Sequence, residues 1–439
     1  MPEKNENQES FWSRVFKSDK EMQKEFKDYF KSFPLLLKWL LISVGVGLIV
    51  GSTSTVFGHV LGAANEFRVQ YPLVILTLPI GGILIVFLNR FFRNTDDKGT
   101  NTIVASIQES TEIPFRMAPL IFISTTITHL CGGSAGREGA AIQLGGSIAK
   151  KMGKWMNLTL NNQRTITMCG MSAGFSALFG TPMAAAIFSL EVVNVGIMHY
   201  AALVPCVISA FVARYVADFF KLHGETFSVT DIPVMSPYNM MKTLVFAAIV
   251  AGVSILFCIV LRKTEHLYEK YIKNQYIRIF TAGCIIIVLS LILQTGIYLG
   301  PGTRIMEQIF NTGETPWYTF LLKIIFTALT LGAGFKGGEI VPSFCIGASF
   351  GCVVAGLMGL PVSLVAACGM VGVFCGVTNS PITSLLIAFE LFGYEGMPYY
   401  LITVAVSYML SGYESLYFKQ KIMYSKTQTN YVMYGDGKK

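Results

Sequence analysis

The tripeptide Cys169-Gly170-Met171 returns as Cys368-Gly369-Met370, and the spacing around it is kept. Thirteen residues after each cysteine stands a proline, Pro182 or Pro381, and nine after each proline a glutamate, Glu191 or Glu390. Phe175 and Phe374 match at the same offset of 199, so 23 gap-free positions hold six identities. Chance alignment does not give this, and the chain reads as two homologous halves, 35–225 and 238–420. A polar stretch at 226–237 (containing SVTDIPVMSP at 228–237) links them, and segments 1–34 and 421–439 flank them.

Both halves are built of membrane-grade sequence. Of the 439 residues, 52% are apolar and 14% charged, and the mean hydropathy is +0.54, which a soluble chain of this length does not show. The net charge of +8 comes from Lys and Arg spread over short loops and both ends, the positive-inside pattern, and does not indicate nucleic-acid binding. From Lys419 onward five lysines face one acid, Asp436, which predicts a cytoplasmic C-terminal tail without a regulatory domain. No cleavable signal peptide is visible. Segment 1–34 resembles an amphipathic helix on the membrane surface, with Phe11, Trp12, Phe16, Phe26, Tyr29 and Phe30 on its apolar side; a frayed cytosolic tail is the alternative. All nine cysteines lie in apolar segments without a CxxC pair, as reduced packing residues would.

The apolar segments 168–179, 184–193, 343–358 and 364–377 are mostly too short to cross a core of about 30 Å at 1.5 Å per residue. Glycine and proline interrupt them. Short broken helices in matching positions of two repeats point to an ion site at mid-membrane, because irregular backbone at that depth must line a site or pack on protein. The expected fold is an all-α polytopic membrane protein of two repeats with many short, tilted, broken helices. If both termini are cytoplasmic and each half crosses an odd number of times, the repeats are inverted.

A charge pair sits inside this apolar sequence at Gly136-Arg137-Glu138-Gly139. Upstream, 118–131 carries His129 as its one acidic or basic side chain; downstream, 140–149 carries none. Ionisable groups at membrane depth are costly and mark a transport path or a buried ion pair. Glycines allow close backbone approach, and a helix that begins here aims its dipole and free N–H groups at an anion. A carboxylate at that place can occupy an anion's seat and act as a gate.

These residues resemble the CLC family of chloride channels and proton-coupled anion exchangers, over about Leu35 to Tyr417. GREGAAIQLGG at 136–146 is similar to the family segment with the external gating glutamate, here Glu138. GFKGGEIVPSFCIGASFG at 334–351 resembles the second-half loop and helix, and SGYESLY at 411–417 ends on the equivalent of the pore tyrosine, Tyr417. The resemblance implies a homodimer in the lipid bilayer, with one anion pore per subunit. It implies no cofactor and no metal: the ions involved are the transported anion and H+.

Departures from the family pattern narrow the substrate. Where chloride-handling members place a serine on the central anion, this chain has Lys98-Gly99-Thr100-Asn101-Thr102-Ile103; Asn101 aligns with the serine, with Thr100 or Thr102 one residue away. Ala140 replaces a proline, Val192 stands where exchangers of chloride carry an inner carboxylate, and Lys336 and Glu339 put charge into the second-half loop. Together these resemble the fluoride–proton exchanging branch, whose bacterial members export cytoplasmic fluoride across the inner membrane and so confer fluoride resistance. Chloride–proton exchange and a passive anion channel are the alternatives. An Asn amide offers two N–H donors where Ser offers one O–H, which suits a small, strongly hydrated acceptor.

The expected ligands are then Glu138 as gate and proton carrier, with Asn101, Tyr417, Gly139, Glu339, Ile340 and Val341 around the anion. Arg137, Thr100, Thr102 and Lys336 are auxiliary. Glu138 and Arg137 as an internal ion pair is the bland alternative, disfavoured because neighbours at a helix start point in different directions. Arg137 either attracts anions or forms a structural salt bridge. Asn101 is a ligand or a turn residue, Tyr417 a ligand or an interfacial aromatic, and Glu339 a path residue or the partner of Lys336. Glu191 and Glu390 read as helix-end caps and His129 as a core residue. With no phosphate loop, metal cluster or nucleophile triad, the sequence describes a transporter and no enzyme.

Overall fold

The structure is a computed structural model that describes residues 19–94, 99–109, 111–428 and 430–434. Phe11, Trp12, Phe16 and Lys98 therefore lie outside the described residues. The first half contains α1 (Asp19–Gln70), α2 (Leu78–Phe91), α3 (Thr100–Glu109), α4 (Met117–Cys131), α5 (Glu138–Trp155), α6 (Leu160–Phe179), α7 (Pro182–Glu191) and α8 (Leu203–Phe219). The second repeats them as α9 (Pro237–Tyr271), α10 (Gln275–Ile292), α11 (Thr303–Thr312), α12 (Thr319–Gly332), α13 (Ile340–Met358), α14 (Val362–Thr378), α15 (Pro381–Phe392) and α16 (Met397–Leu410). Among the described residues, six helical stretches, including α1, α9, α10 and α13, are long and apolar enough to cross a membrane.

Two details depart from the sequence reading. Helix α1 is continuous through Pro34, so no break separates residues 19–34 from the first span; a membrane helix tolerates the lost N–H of one proline. Apolar segment 168–179 is the second part of α6, whose first two turns are polar. It was too short only because the helix begins in residues that hydrophobicity does not reveal.

Small residues allow the helices of each half to pack at backbone contact. A Cβ placed on Gly145 of α5 would lie 2.1 Å from the Gly170 carbonyl oxygen of α6, and one on Gly347 of α13 would lie 2.2 Å from that of Gly369 of α14. Hydroxyl groups tie neighbouring helices where water is absent: Ser172 donates to the Cys206 carbonyl (2.9 Å), Ser176 to that of Ala210 (2.8 Å) and Ser407 to that of Gly372 (2.6 Å).

The glutamates of the repeat join the halves. Glu191, ending α7, accepts from the N–H groups of Ile382 (3.0 Å) and Thr383 (2.9 Å) and from the Thr383 hydroxyl (2.6 Å), at the start of α15. Glu390, near the end of α15, accepts from Met183 and Ala184 N–H (both 2.9 Å), at the start of α7. Each carboxylate thus caps the partner helix's positive end. An exchange in which equivalent groups serve each other requires antiparallel helices and a local two-fold relation. The same relation recurs at Gly136 and Gly338, which exchange both backbone hydrogen bonds at 2.7 Å.

The fold is not purely helical. After α16 the chain forms β2 (Lys421–Tyr424) and β3 (Tyr431–Tyr434), and β2 also pairs in parallel with β1 (Asn194–Val195). Gln420 anchors this sheet by donating to the carbonyls of Val192 (3.0 Å) and Thr378 (2.9 Å), one from each half. The described part of the tail is thus packed structure, with Lys426 bonded to Asn379 and Ser411. Polar residues without long-range pattern gave no signal of it. The cysteines are all free, eight of them buried.

Candidate functional site

A cavity of about 630 Å³ enters the protein on the face where α2 and α9 end and α10 begins. Arg90, Arg262, Arg278 and Lys336 give its wall cationic groups, Glu265 and Glu269 anionic ones, and Asn101 and Glu339 also line it. Asn101 sits in the first turn of α3, where its Oδ1 accepts from the Lys419 N–H (3.2 Å). With the acceptor engaged, the side chain has its two amide donors to offer the cavity. Lys336 lies on the cavity wall near Glu339, whereas Thr102 does not reach the wall.

At the inner end, the starts of α5 and α13 abut across the Gly136–Gly338 bridge. Close approach requires glycine here: a Cβ on Gly338 would sit 2.6 Å from the Gly139 nitrogen. A Cβ on Gly139 would reach Glu339 Oε2 and Thr100 Oγ1, each at 3.5 Å, so these two side chains converge on that glycine. Ile340 and Val341 begin α13 with first-turn N–H groups that no carbonyl of the helix can accept, and Pro342 has none. Tyr417 is 1% exposed beside Glu339 and packs edge-on to Phe188, with ring centroids 6.3 Å apart. The Tyr417 hydroxyl and Glu339 Oε2 are buried and have no protein partner. Buried polar atoms without partners are uncommon, and two in one place mark where a further polar species fits.

Gln143, which the sequence reading did not single out, belongs to this group. It follows Gly139 by one helical turn, donates to Thr100 Oγ1 (3.3 Å) and keeps a buried Oε1 without a partner. As the one amide in the charge-free stretch 140–149, it carried a signal that could have been read.

Glu138 opens α5 and is fully buried. Its Oε2 accepts from the Arg137 N–H (3.1 Å), and its Oε1 lies 3.3 Å from Arg137 Nε. The expectation that these neighbours would point apart is therefore wrong. Arg137 is the N-cap residue at φ −110°, outside the regular helix, and its side chain can fold back on the next residue. Its Nη2 also lies 3.5 Å from Oε1 of Glu225, a residue absent from the sequence reading.

His129 bonds to the backbone just before α5. Asn65 is 3.2 Å from Nδ1, and Nε2 is 3.3 Å from the Gly136 carbonyl. A carbonyl can only accept, so Nε2 carries the proton and Nδ1 accepts from the Asn65 amide, which fixes a neutral imidazole. It holds the carbonyl of the Gly136–Gly338 bridge, as a core histidine would.

Comparison with known proteins agrees with this arrangement. The family profile described as voltage gated chloride channel matches residues 80–412. The "Chloride/fluoride channel protein" of Pseudomonas syringae pv. tomato is 36% identical over 401 residues, covering 90% of this chain and 88% of its own. The crystal structure of a CLC-type fluoride/proton antiporter superposes with a TM-score of 0.86 at 35% identity, over 88% of this chain and 98% of that one. A slow cyanobacterial Cl−/H+ antiporter shares the fold at a TM-score of 0.75 and 20% identity, over 85% and 94%. The repeat architecture, the abutting helix starts and these matches together place the chain in the CLC family of membrane anion channels and transporters.

Proposed function

We propose that the protein is a fluoride/proton antiporter that exports fluoride in exchange for entering protons. The observation that carries this reading is the convergence of Tyr417 Oη, Glu339 Oε2, Thr100 and Gly139 at the abutting helix starts, next to the buried Glu138. The fluoride relatives among the compared proteins support the choice of substrate.

In this reading the cationic vestibule gathers anions from the cytoplasm. Arg90, Arg93, Arg262, Lys263, Lys270, Lys273 and Arg278 crowd the ends of helices on that face, which fits the positive-inside rule and cytoplasmic termini in a bacterial plasma membrane. Fluoride sheds water and takes up donors from the Asn101 amide, the Tyr417 hydroxyl and the free N–H groups at Ile340 and Val341. Lost solvation must be replaced bond for bond, since each unmade bond to a buried polar species costs about 1–3 kcal/mol. Glu339 in its protonated form adds a donor, and in its ionised form repels the anion, so proton and fluoride occupancy are linked at one place. Glu138 receives the proton on the other side and vacates or fills the anion seat as its charge changes. Each subunit of a homodimer would hold one such path.

In proteoliposomes loaded with fluoride, the outward gradient should drive proton uptake that a pH dye records, and an equal chloride gradient should drive far less. Fluoride loss without proton movement would identify a passive channel; equal responses to both ions would identify a chloride exchanger.

Asn101→Ser tests the central ligand. It removes one donor, and a polar contact contributes about 1 kcal/mol net, so the ratio of fluoride to chloride transport should fall by roughly five- to tenfold. An unchanged ratio, with a shift instead on substitution of Thr100 or Thr102, would move the ligand along α3.

A further inference from the structure

Glu225 lies in the loop that joins the two halves, on the face opposite the vestibule, because α9 starts just after this loop and runs to the vestibule side. The loop is held down on both sides of it. Leu222 and Phe227 are buried, the Phe227 N–H donates to the Leu391 carbonyl (3.2 Å), and the Phe227 ring stacks on Phe310 at 4.6 Å. A Cβ on Gly224 would lie 2.8 Å from the Gly180 Cα. Glu225 is therefore placed by packing, and its side chain, 18% exposed, reaches Arg137 at 3.5 Å with Oε1 while Oε2 is buried without a partner.

Arg137 meanwhile holds Glu138 through Nε at 3.3 Å. One guanidinium thus serves two carboxylates, and whichever is ionised and nearer takes it. We propose that Glu225 is an outer positioning residue that competes with Glu138 for Arg137 and so sets the external pH at which the gate takes up its proton. This rests on the exchange reading of the preceding section.

The charged groups around Glu225 bear on the sign. Arg137 attracts its ionised form; Glu138 and Glu307 of α11 repel it; Arg214 of α8 packs near Gly224, and His223, two residues upstream, is exposed. Burial, partly offset by Arg137, pushes the Glu225 carboxyl up to about 7, so its charge changes near neutral pH. When Glu138 protonates or swings to the anion seat, the charge of Arg137 passes to Glu225, which keeps the guanidinium compensated and in place. Removing the Glu225 charge gives Arg137 wholly to Glu138 and deletes a repulsive neighbour. Both effects favour ionised Glu138, so protonation from outside then needs a lower pH.

The test is fluoride efflux from proteoliposomes, measured against external pH for the parent, Glu225→Gln and Glu225→Asp. Glu225→Gln should still transport, with its external-pH midpoint shifted down by about one unit, the effect of one nearby charge in a partly solvated site. Glu225→Asp should return the midpoint toward the parent, which a purely structural role of the side chain would not do. Superposed profiles of parent and Glu225→Gln would overturn the proposal. So would a loss of transport in both variants with no midpoint shift in the activity that remains. A parent whose efflux ignores external pH altogether would instead defeat the exchange reading on which it rests.

Discussion

Proton uptake driven by fluoride should vanish in Glu138→Gln. The amide has nearly the shape of the carboxyl and can keep one contact to the Arg137 backbone, so α5 is expected to start where it does now. What it cannot do is take up and release a proton, or compete as an anion for the seat between the helix starts. The comparison is dye-reported proton flux in proteoliposomes of parent and variant under the same fluoride gradient. A fall of at least about tenfold is expected, which corresponds to 1.4 kcal/mol or more on the coupled step. Fluoride movement that persists should be uncoupled from pH. Proton flux near the parental level would remove Glu138 from its role and leave Glu339, whose Oε2 is buried at the site, as the carrier.

Gly145→Ala should damage the fold itself. The new methyl group would meet the Gly170 carbonyl oxygen at 2.1 Å and its carbon at 2.9 Å, and neither is the end of a flexible side chain. α5 and α6 must move apart, and overpacking of this kind costs about 1–3 kcal/mol or more. The expected result is poor accumulation in the membrane, or a thermal midpoint in detergent several degrees below the parent. Gly252→Ala in α9 is the control. No atom lies within 4 Å of a Cβ there, and Ala is the better helix former by about 0.5–1 kcal/mol, so its midpoint should hold or rise. Equal behaviour of the two variants would show that the glycine contact does not limit stability.

The two variants also mark what could be read before the structure. Glu138 announced itself because a charge in apolar sequence is costly and therefore conspicuous. Gly145 did not, since a glycine in a membrane helix has many uses and its partner Gly170 lies 25 positions away on another helix. Once the helices are aligned, the pair is seen to recur at Gly347 and Gly369, but the sequence match covered only α6, α7 and their counterparts. The equivalences of α1 to α5 with α9 to α13 reside in shape. Helix packing constrains residue size and polarity along a stripe, and many sequences satisfy that.

From the sequence alone came the duplicated halves, the membrane setting, the residue proposed as gate and the residue types proposed around the anion. These are local or periodic properties: hydropathy, a conserved offset, a charge with glycines beside it. The tertiary structure decided which groups meet. It brought Glu339 and Thr100 to Gly139, set Gln143 against Thr100 and turned Arg137 onto Glu138. It also brought Glu225, 87 residues from Glu138, to the same guanidinium, and folded the described part of the polar tail into a sheet that locks both halves. Such contacts arise from the packing of whole helices against each other, and the pairwise energies that select them are spread over residues that show no pattern along the chain.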